Sequence, residues 1–306
     1  MKICVVGPGA LGCFFSATLA RAGHQVWLVD HRSERARRIE AHGITLYDRN
    51  GQATVVPVPT IADPAQAAPV ELALLCVKSD SAAGAARSLA PALARDGLLI
   101  AMQNGIAHHR ELSNLAVNWA LGVTAQGAHL LGEGVVRHGG DGPTFLGSLS
   151  PVAVEVGSRL NKVAELLTRA GIDTEVVDDI LAAAWNKLII NVGINALTVV
   201  EDCTNGELLS RPQALVTMKA AVHEAVLVAS ALGIAVFDNP EERVLVVCRD
   251  TRANVSSMLQ DIRAGRHTEV DAINGEIVRL AERLGISAST NGALVAAVKD
   301  REFVQA

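Results

Sequence analysis

The sequence has few charges, few aromatic residues and no run of Lys or Arg. Charged residues make up 19% of the 306 residues, aromatic residues make up 3%, and the formal net charge is −5. Proteins that bind nucleic acids usually carry a basic patch or stripe. The composition therefore argues against a nucleic-acid partner.

Cysteine is also scarce. The five cysteines are scattered, and they show neither a Cys-x-x-Cys pair nor a Cys/His ligand spacing. We therefore expect no disulfide framework and no bound metal. Unpaired thiols are typical of a reducing compartment, so the sequence predicts a cytoplasmic protein.

Long uninterrupted apolar runs are missing as well. The longest candidate for a membrane span, residues 180–200, is interrupted by Asn186, Lys187, Asn191 and Asn195. A spanning helix needs about 18 or more predominantly apolar residues, so we expect no membrane partner.

The apolar stretch that follows Lys2 has two interpretations. It could be the core of a signal peptide, or a buried strand followed by a turn and a helix. Three glycines between Gly7 and Gly12 interrupt the stretch early. A strand, turn and helix is therefore the favoured interpretation.

Apolar residues are abundant, at 50% of the chain. In the first half, short apolar runs such as Ile3–Val6 and Gln25–Val29 alternate with helical patterns such as Ala10–Ala22. This alternation predicts a parallel sheet covered by helices, in a domain spanning residues 1–178. Within it, the Gly-rich and β-branched segment Val135–Leu149 is interpreted as a hairpin.

From about Asp178 the pattern changes to long helices rich in Ala, Leu and Val. Examples are Ile180–Thr198 and Glu269–Leu284. The sequence therefore predicts an all-α second domain at residues 179–306. An α/β half followed by a helical half is typical of a cofactor domain joined to a substrate or dimerisation domain.

A glycine-rich turn follows the first predicted strand and opens the first predicted helix. Its residues are Gly7, Pro8, Gly9, Ala10, Leu11 and Gly12. This Gly-x-Gly-x-x-Gly pattern in a strand–turn–helix context is the fingerprint of a dinucleotide-binding (Rossmann) domain. The glycines allow a tight turn, approach of the pyrophosphate to the backbone, and close packing of the helix, whose N-terminus attracts the anion.

The identity of the cofactor stays open from these residues. Asp30 ends the second strand, where an acidic side chain can bind the ribose 2′-hydroxyl of NAD. Arg32 follows and could instead pair with the 2′-phosphate of NADP. The arginines of the next helix (Arg35, Arg37 and Arg38) are interpreted as its solvated face.

A second polar feature lies within the apolar segment of the second half. Lys187, Asn191 and Asn195 are spaced i, i+4 and i+8, so they form one stripe on a helix. The alternatives are a snorkelling lysine with asparagines that bond other helices, or a substrate site. Three polar residues in register favour the substrate site. A buried lysine with a lowered pKa suits proton donation to a carbonyl oxygen.

Three stretches together resemble the ketopantoate reductase family. The first stretch is the N-terminal Gly-x-Gly-Ala-Leu-Gly turn, which is followed in the same half by Val77-Lys78-Ser79 and Gln103-Asn104-Gly105. The second is the helical segment Trp185–Asn195. The third, Ser256–Gly275, contains the motifs Ser-Ser-Met-Leu-Gln-Asp-Ile-Arg and Thr-Glu-Val-Asp-x-Ile-Asn-Gly. Spacing alone would make the last stretch only an amphipathic helix pair. The resemblance spans nearly the whole chain in the same order.

The resemblance implies a fold and a site. The fold is a Rossmann domain followed by an all-α domain of the 6-phosphogluconate-dehydrogenase type, with the substrate in a cleft between them. Lys187 resembles the general acid, with Glu269 as its charged partner. The residues implied to bind substrate are Asn104, Asn191, Asn195 and Ser257. Lys78 and Asn104 are implied to bind the cofactor, together with the glycine turn, Asp30 and Arg32.

The implied reaction is the NADPH-dependent reduction of 2-dehydropantoate to (R)-pantoate. Two alternatives are a reductase of a different 2-oxo acid and a non-catalytic NAD(P) sensor. NADP(H) is the favoured cofactor, while Asp30 keeps NAD(H) open. A homodimer formed through the helical domain is a further expectation.

Overall fold

The computed structural model describes residues 1–149 and 154–304 and divides the chain into two compact units. The first comprises Met1–Gln103 and His108–Ile180, and the second comprises Asn104–Ala107 and Leu181–Ala306. Residues 104–107 are predicted from the sequence to lie in the first domain, but they group with the second unit.

The strands all lie in the first unit, within the described residues. They are β1 (Lys2–Val6), β2 (Gln25–Val29), β3 (Ile44–Tyr47), β4 (Ala53–Val56), β5 (Thr60–Ile61), β6 (Val70–Leu75), β7 (Leu93–Ala101), β8 (Asn118–Thr124), β9 (Gly127–Gly132), β10 (Val135–Gly140), β11 (Thr144–Gly147) and β12 (Thr174–Val176). The helices of this unit are α1 (Ala10–Arg21), α2 (Ser33–His42), α3 (Ala82–Leu89), α4 (His109–Leu112) and α5 (Val154–Arg169).

Eight strands form the main sheet in the order β12-β11-β8-β7-β6-β1-β2-β5. Six adjacent strands (β5, β2, β1, β6, β7 and β8) are parallel to one another, and β8 pairs antiparallel with β11 on its other side. Numbered along the chain, these six have the order 3-2-1-4-5-6, which is the doubly wound arrangement. The strand order reverses beside β1, where the chain runs to β2 on one side and β6 lies on the other. Ligands of such sheets bind at this switch point, beyond the carboxyl ends of the strands.

The remaining four strands form a second sheet in the order β4-β3-β10-β9. Helix α1 contacts both sheets, and the ring of Phe14 on α1 stacks on His138 of β10, with 4.8 Å between the ring centroids.

The prediction of a hairpin at Val135–Leu149 is wrong. β10 pairs with β9 and β3, whereas β11 pairs with β8 and β12 in the main sheet.

The second unit is helical in the described residues, which confirms the predicted fold class. Its helices are α6 (Ile180–Glu201), α7 (Pro212–Ala231), α8 (Pro240–Asp250), α9 (Ser257–Arg263), α10 (Asn274–Leu284) and α11 (Ser289–Val304). Helix α6 contributes to the hydrophobic core of this unit, where Trp185 and Ile189 are fully buried. A Cβ at Gly193 would lie 2.8 Å from Val244, so this glycine lets α6 and α8 pack closely.

One helix boundary differs from the prediction. The sequence pattern predicts a helix from Glu269, but α10 begins at Asn274, and turns precede it. Thr268 donates its backbone N–H to Glu302, and its hydroxyl accepts a bond from the N–H of Val270. These bonds support a turn at Glu269.

Helices α6 and α7 are long and apolar enough to cross a membrane by length and composition alone. Core helices of soluble proteins pass the same test. In α6, 61% of the apolar window is buried inside the protein, as expected for a core helix.

Candidate active site

The glycine turn lies where the chain leaves β1 and enters α1, at the switch point of the main sheet. Gly7 has a φ of +103°, and a Cβ there would lie 2.8 Å from a methyl group of Val77. A Cβ at Gly12 would lie 1.8 Å from the carbonyl oxygen of Gly7. Both positions therefore require glycine, because a larger residue would force the turn or the helix to move.

Gly9 is different, because a Cβ at this position would meet no atom within 4 Å. It is the N-cap residue of α1, and no side chain caps the helix there. Ala10 and Leu11 are half-buried, and Pro8 is buried. An open space in front of a helix N-terminus suits an anion, and this geometry fits the pyrophosphate of a dinucleotide cofactor.

Asp30 directly follows β2, next to β1, and its side chain is fully buried. Its Oδ1 accepts bonds from the backbone N–H of Arg32 at 3.1 Å and from Nη2 of Arg35 at 2.8 Å, and its Oδ2 accepts a bond from Nε of Arg35. Burial tends to raise the pKa of Asp30, but these donors and the guanidinium charge hold the pKa below its ordinary value. The prediction that Arg35 lies on a solvated face is wrong, while Arg32 and Arg37 are exposed.

Lys78 lies beyond the carboxyl end of β6, the strand on the other side of β1. It is half-buried and precedes a short 3-10 turn at Ser79–Ser81. The Gln103 amide donates to the carbonyl oxygens of Leu75 at 2.6 Å and Val77 at 3.1 Å. These bonds fix the chain just after β6. The glycine turn follows β1, Asp30 follows β2 and Lys78 follows β6, and because these three strands are parallel neighbours, all three features lie at the same edge of the sheet.

In the second unit, Lys187, Asn191 and Asn195 form the predicted stripe along α6. Lys187 and Asn191 are half-buried, and Asn195 is 7% exposed. Neighbouring residues of the helix, such as Leu188 and Val192, are buried in the core. Within the described part of the chain, the three polar side chains form no hydrogen bond, so their donors are available to a ligand.

Lys187 is the strongest candidate for acid–base chemistry. Burial lowers the pKa of its ammonium group to about 8, and the negative charge of Glu269 opposes that shift. Glu269 also accepts a hydrogen bond at Oε2 from Nδ2 of Asn104, at 3.1 Å. The structure thus brings together three residues that are far apart in the sequence.

Ser257 is exposed and begins α9, and its neighbour Ser256 connects this helix to α6. Ser256 is buried, and its Oγ accepts a bond from the N–H of Leu259 at 3.1 Å. The hydroxyls of Ser256 and Thr198 are 2.6 Å apart, and Thr198 also donates to the carbonyl oxygen of Asn195 at 2.8 Å. This chain of bonds fixes the start of α9 to the helix that carries the polar stripe.

Two sets of groups result, one in each unit. The first unit offers an anion-binding glycine turn on a doubly wound sheet. The second offers an ammonium group whose pKa is lowered to about 8 by burial, on a helix that also carries the amides of Asn191 and Asn195. A dinucleotide fold combined with a proton donor is typical of a nicotinamide-dependent oxidoreductase.

Comparison with known proteins specifies this class further. The model of the family "Ketopantoate reductase PanE/ApbA" matches residues 3–151, and the model of its C-terminal domain matches residues 179–302. The 2-dehydropantoate 2-reductase of Halobacterium salinarum is 34% identical over 92% of both chains. That of Pyrococcus horikoshii is 33% identical over 99% of this chain and 98% of its own. The protein belongs to the ketopantoate reductase family of NAD(P)-dependent oxidoreductases, as the sequence motifs predicted.

Solved structures agree with this assignment. The PanE/ApbA family ketopantoate reductase from Ralstonia eutropha JMP134 superposes with a TM-score of 0.89 at 32% identity, covering 100% of this chain and 99% of that chain. The ternary complex of D-mandelate dehydrogenase with NADH and anilino(oxo)acetate gives a TM-score of 0.91 at 26% identity, with the same coverage. The same fold therefore occurs in proteins named for different 2-oxo or 2-hydroxy acids.

Proposed function

We propose that the protein catalyses the NADPH-dependent reduction of 2-dehydropantoate to (R)-pantoate, a step towards pantothenate and coenzyme A. The observation that supports this most directly is Lys187, whose pKa of about 8 suits a general acid near neutral pH. The names of the full-length relatives support the choice of substrate.

In the proposed reaction, a bound nicotinamide cofactor would supply the hydride that reduces C2 of the 2-oxo acid. Lys187 donates a proton to the C2 oxygen as negative charge develops on it, so the ketone becomes a secondary alcohol. A lysine with a pKa of about 8 is largely protonated at pH 7 and gives up its proton more readily than an exposed lysine. The negative charge of Glu269 favours the charged form of the ammonium group.

Neutral donors of the second unit would bind the substrate. Asn191, Asn195 and Ser257 can donate hydrogen bonds to a carboxylate and a hydroxyl without placing a second cation beside Lys187. Asn104, which is held by Glu269, adds a further amide. A second cation near Lys187 would lower its pKa further and reduce the protonated fraction.

The first unit would hold the cofactor. The turn Gly7–Gly12 would bind the pyrophosphate, Lys78 would lie beside the cofactor, and Arg32 would face the 2′-phosphate. The Asp30 carboxylate is paired with the guanidinium of Arg35, which favours NADP(H).

We also propose a cytoplasmic location, since all five cysteines are free. The homodimer stays a prediction.

A second candidate is the reduction of a 2-oxo acid with a different side chain. The superposition on D-mandelate dehydrogenase favours it, because that protein is bound to an anilino(oxo)acetate on the same fold. A non-catalytic NAD(P) sensor is less well supported, since sensing does not require the proton donor Lys187.

The test is the oxidation of NADPH and NADH with a panel of 2-oxo acids that includes 2-dehydropantoate and phenylglyoxylate. We expect turnover with NADPH and 2-dehydropantoate. Lys187→Ala should lower kcat by at least about a hundredfold, in the range for general acid catalysis. Lys162→Ala, an exposed lysine on α5, is the matched control and should retain full activity. Turnover with no acid in the panel would rule out both enzyme functions.

A further inference from the structure

The ion pair between Arg35 and Asp30 connects α2 to the end of β2. The guanidinium binds both oxygens of the carboxylate, through Nε to Oδ2 and through Nη2 to Oδ1 at 2.8 Å. The Asp30 side chain has no exposed surface, and the Arg35 side chain is 23% exposed. We infer that Arg35 determines cofactor choice by occupying the carboxylate that would otherwise bind the ribose 2′-hydroxyl of NAD(H). This inference rests on the proposed NADP(H)-dependent function.

The acceptor capacity of Asp30 is nearly exhausted. A carboxylate offers about four lone-pair sites. Two of them accept bonds from Arg35, and a third accepts the backbone N–H of Arg32. An acidic residue at the end of the second strand selects NAD by accepting a bond from the ribose. Asp30 has the position for that role but little free capacity to perform it.

The charge of Asp30 is balanced as well. An unpaired carboxylate at this position would repel the 2′-phosphate of NADP(H). Here the guanidinium of Arg35 compensates the negative charge, and it also holds the pKa of Asp30 below its ordinary value, so the ion pair persists at neutral pH. His31 lies 3.7 Å from the same carboxylate and would add positive charge when protonated.

Donors for a phosphate remain around the pair. Arg35 has five N–H donors and uses two of them on Asp30. Arg32 is exposed, and its backbone is fixed by the bond from its N–H to Asp30. The same ion pair therefore disfavours NAD(H) and leaves a cationic surface for a 2′-phosphate.

Dissociation constants for NADP+ and NAD+, measured by isothermal titration calorimetry without a 2-oxo acid, test the inference. Arg35→Met should weaken NADP+ binding by about tenfold and tighten NAD+ binding severalfold, because Asp30 becomes free to accept the ribose hydroxyl. Arg37→Met is the matched control, since Arg37 is exposed on the same helix and, among the described residues, donates to the Ser33 carbonyl oxygen at 3.4 Å and not to Asp30. It should change neither constant by more than about twofold.

A double-mutant cycle separates this role from a purely structural ion pair. Asp30→Asn alone should leave NAD+ affinity nearly unchanged, because the carboxylate is already occupied. In the double variant Asp30→Asn/Arg35→Met, the NAD+ gain seen for Arg35→Met should disappear. Equal weakening of both cofactors by Arg35→Met, or an unchanged ratio of the two constants, would overturn the inference.

Arg35→Met leaves a buried carboxylate unpaired, so folding is checked by circular dichroism. If that variant does not fold, Arg35→Lys is used, which keeps the charge but cannot form the bidentate bond. Arg35→Lys should shift the ratio of the NADP+ and NAD+ dissociation constants in the same direction by a smaller factor, and an unchanged ratio would again overturn the inference.

A wild-type protein that binds neither cofactor would overturn both the inference and the proposed function. Tighter wild-type binding of NAD+ than of NADP+ would overturn both the proposed NADP(H) preference and the inference. A wild-type preference for NADP+ that Arg35→Met leaves unchanged would overturn the inference alone.

Discussion

Asn104 donates a hydrogen bond from Nδ2 to Oε2 of Glu269, at a distance of 3.1 Å. The segment that carries Asn104 packs tightly, because a Cβ at Gly105 would lie 2.4 Å from the carbonyl oxygen of Ala272. The same Glu269 carboxylate raises the pKa of Lys187, against the larger effect of burial. Glu269 therefore connects the proposed proton donor to the segment that follows β7.

Glu269→Gln should move the pH dependence of the reaction. The substitution removes the charge that stabilises the ammonium, so the pKa of Lys187 should fall further below about 8. Reduction requires the protonated lysine, and its rate should therefore begin to decline at a lower pH than in the wild type. The measurement is kcat against pH. Glu282→Gln, an exposed residue on α10, is the control, and an unmoved alkaline limb in Glu269→Gln would contradict the prediction.

Lys187 should also affect stability in a pH-dependent way. Burial lowers its pKa from 10.5 to about 8, so below pH 8 the folded protein holds a partly desolvated ammonium group. Between pH 8 and 10.5 the unfolded chain binds a proton that the folded chain has released. The contribution of Lys187 to the free energy of unfolding of the wild type therefore rises with pH in this range. Lys187→Met removes the unfavourable charge. Its Tm should exceed that of the wild type most clearly below pH 8, and the difference should shrink towards pH 10.5.

Melting curves measured at several pH values would check this expectation. Lys162→Met on the exposed surface of α5 is the control and should give no comparable pH-dependent difference. A Lys187→Met variant with a lower Tm than the wild type at pH 7 would show that the ammonium group stabilises the fold.

A buried polar network should stabilise the helical unit. Glu224 on α7 accepts bonds from the backbone N–H groups of Thr290 and Asn291 at 2.8 and 2.9 Å, and from Nδ2 of Asn291 at 2.7 Å. Glu224→Ala should lower the free energy of unfolding by about 2 kcal/mol in urea titrations, because these donors lose a charged partner. Glu242→Ala, which breaks an exposed pair with Arg249, should cost about 0.5 kcal/mol or less. Similar losses in the two variants would refute the role of the network.

The two-part fold followed from local patterns, but the sheet pairing did not. The strand–turn–helix around Gly9 and the apolar face of α6 are encoded within short stretches. The second sheet joins β3 to β10, which lie far apart in the sequence, so no local pattern announces it. Consecutive strands usually pair, which explains the incorrect hairpin at Val135–Leu149.

The site shows the same division between local and non-local information. Lys187 and Asn191 could be predicted because helix periodicity places them on one face. The bond between Asn104 and Glu269 depends on tertiary folding, and only the family resemblance had indicated these residues. Arg35 was misjudged because its neighbours Arg37 and Arg38 are exposed, whereas Arg35 itself is half-buried and bonds Asp30, five residues before it at the end of β2.

The glycine turn offers a contrast between two substitutions of the same kind. Gly12→Ala would place a Cβ 1.8 Å from the Gly7 carbonyl oxygen, so it should lower the Tm as well as cofactor affinity. Gly9→Ala meets no protein atom within 4 Å, so the Tm should stay close to that of the wild type. Its methyl group would occupy the space proposed for the pyrophosphate and should weaken NADP+ binding by about tenfold or more.

Calorimetric titration with NADP+ and melting curves on the same samples measure both effects. Gly84→Ala is the control for adding a methyl group to a helix with open space around it. It should stabilise the protein by about 0.5–1 kcal/mol and leave the dissociation constant unchanged. Wild-type affinity in Gly9→Ala would mean that the pyrophosphate does not approach the backbone at this turn, and the cofactor site would have to lie elsewhere on the sheet edge.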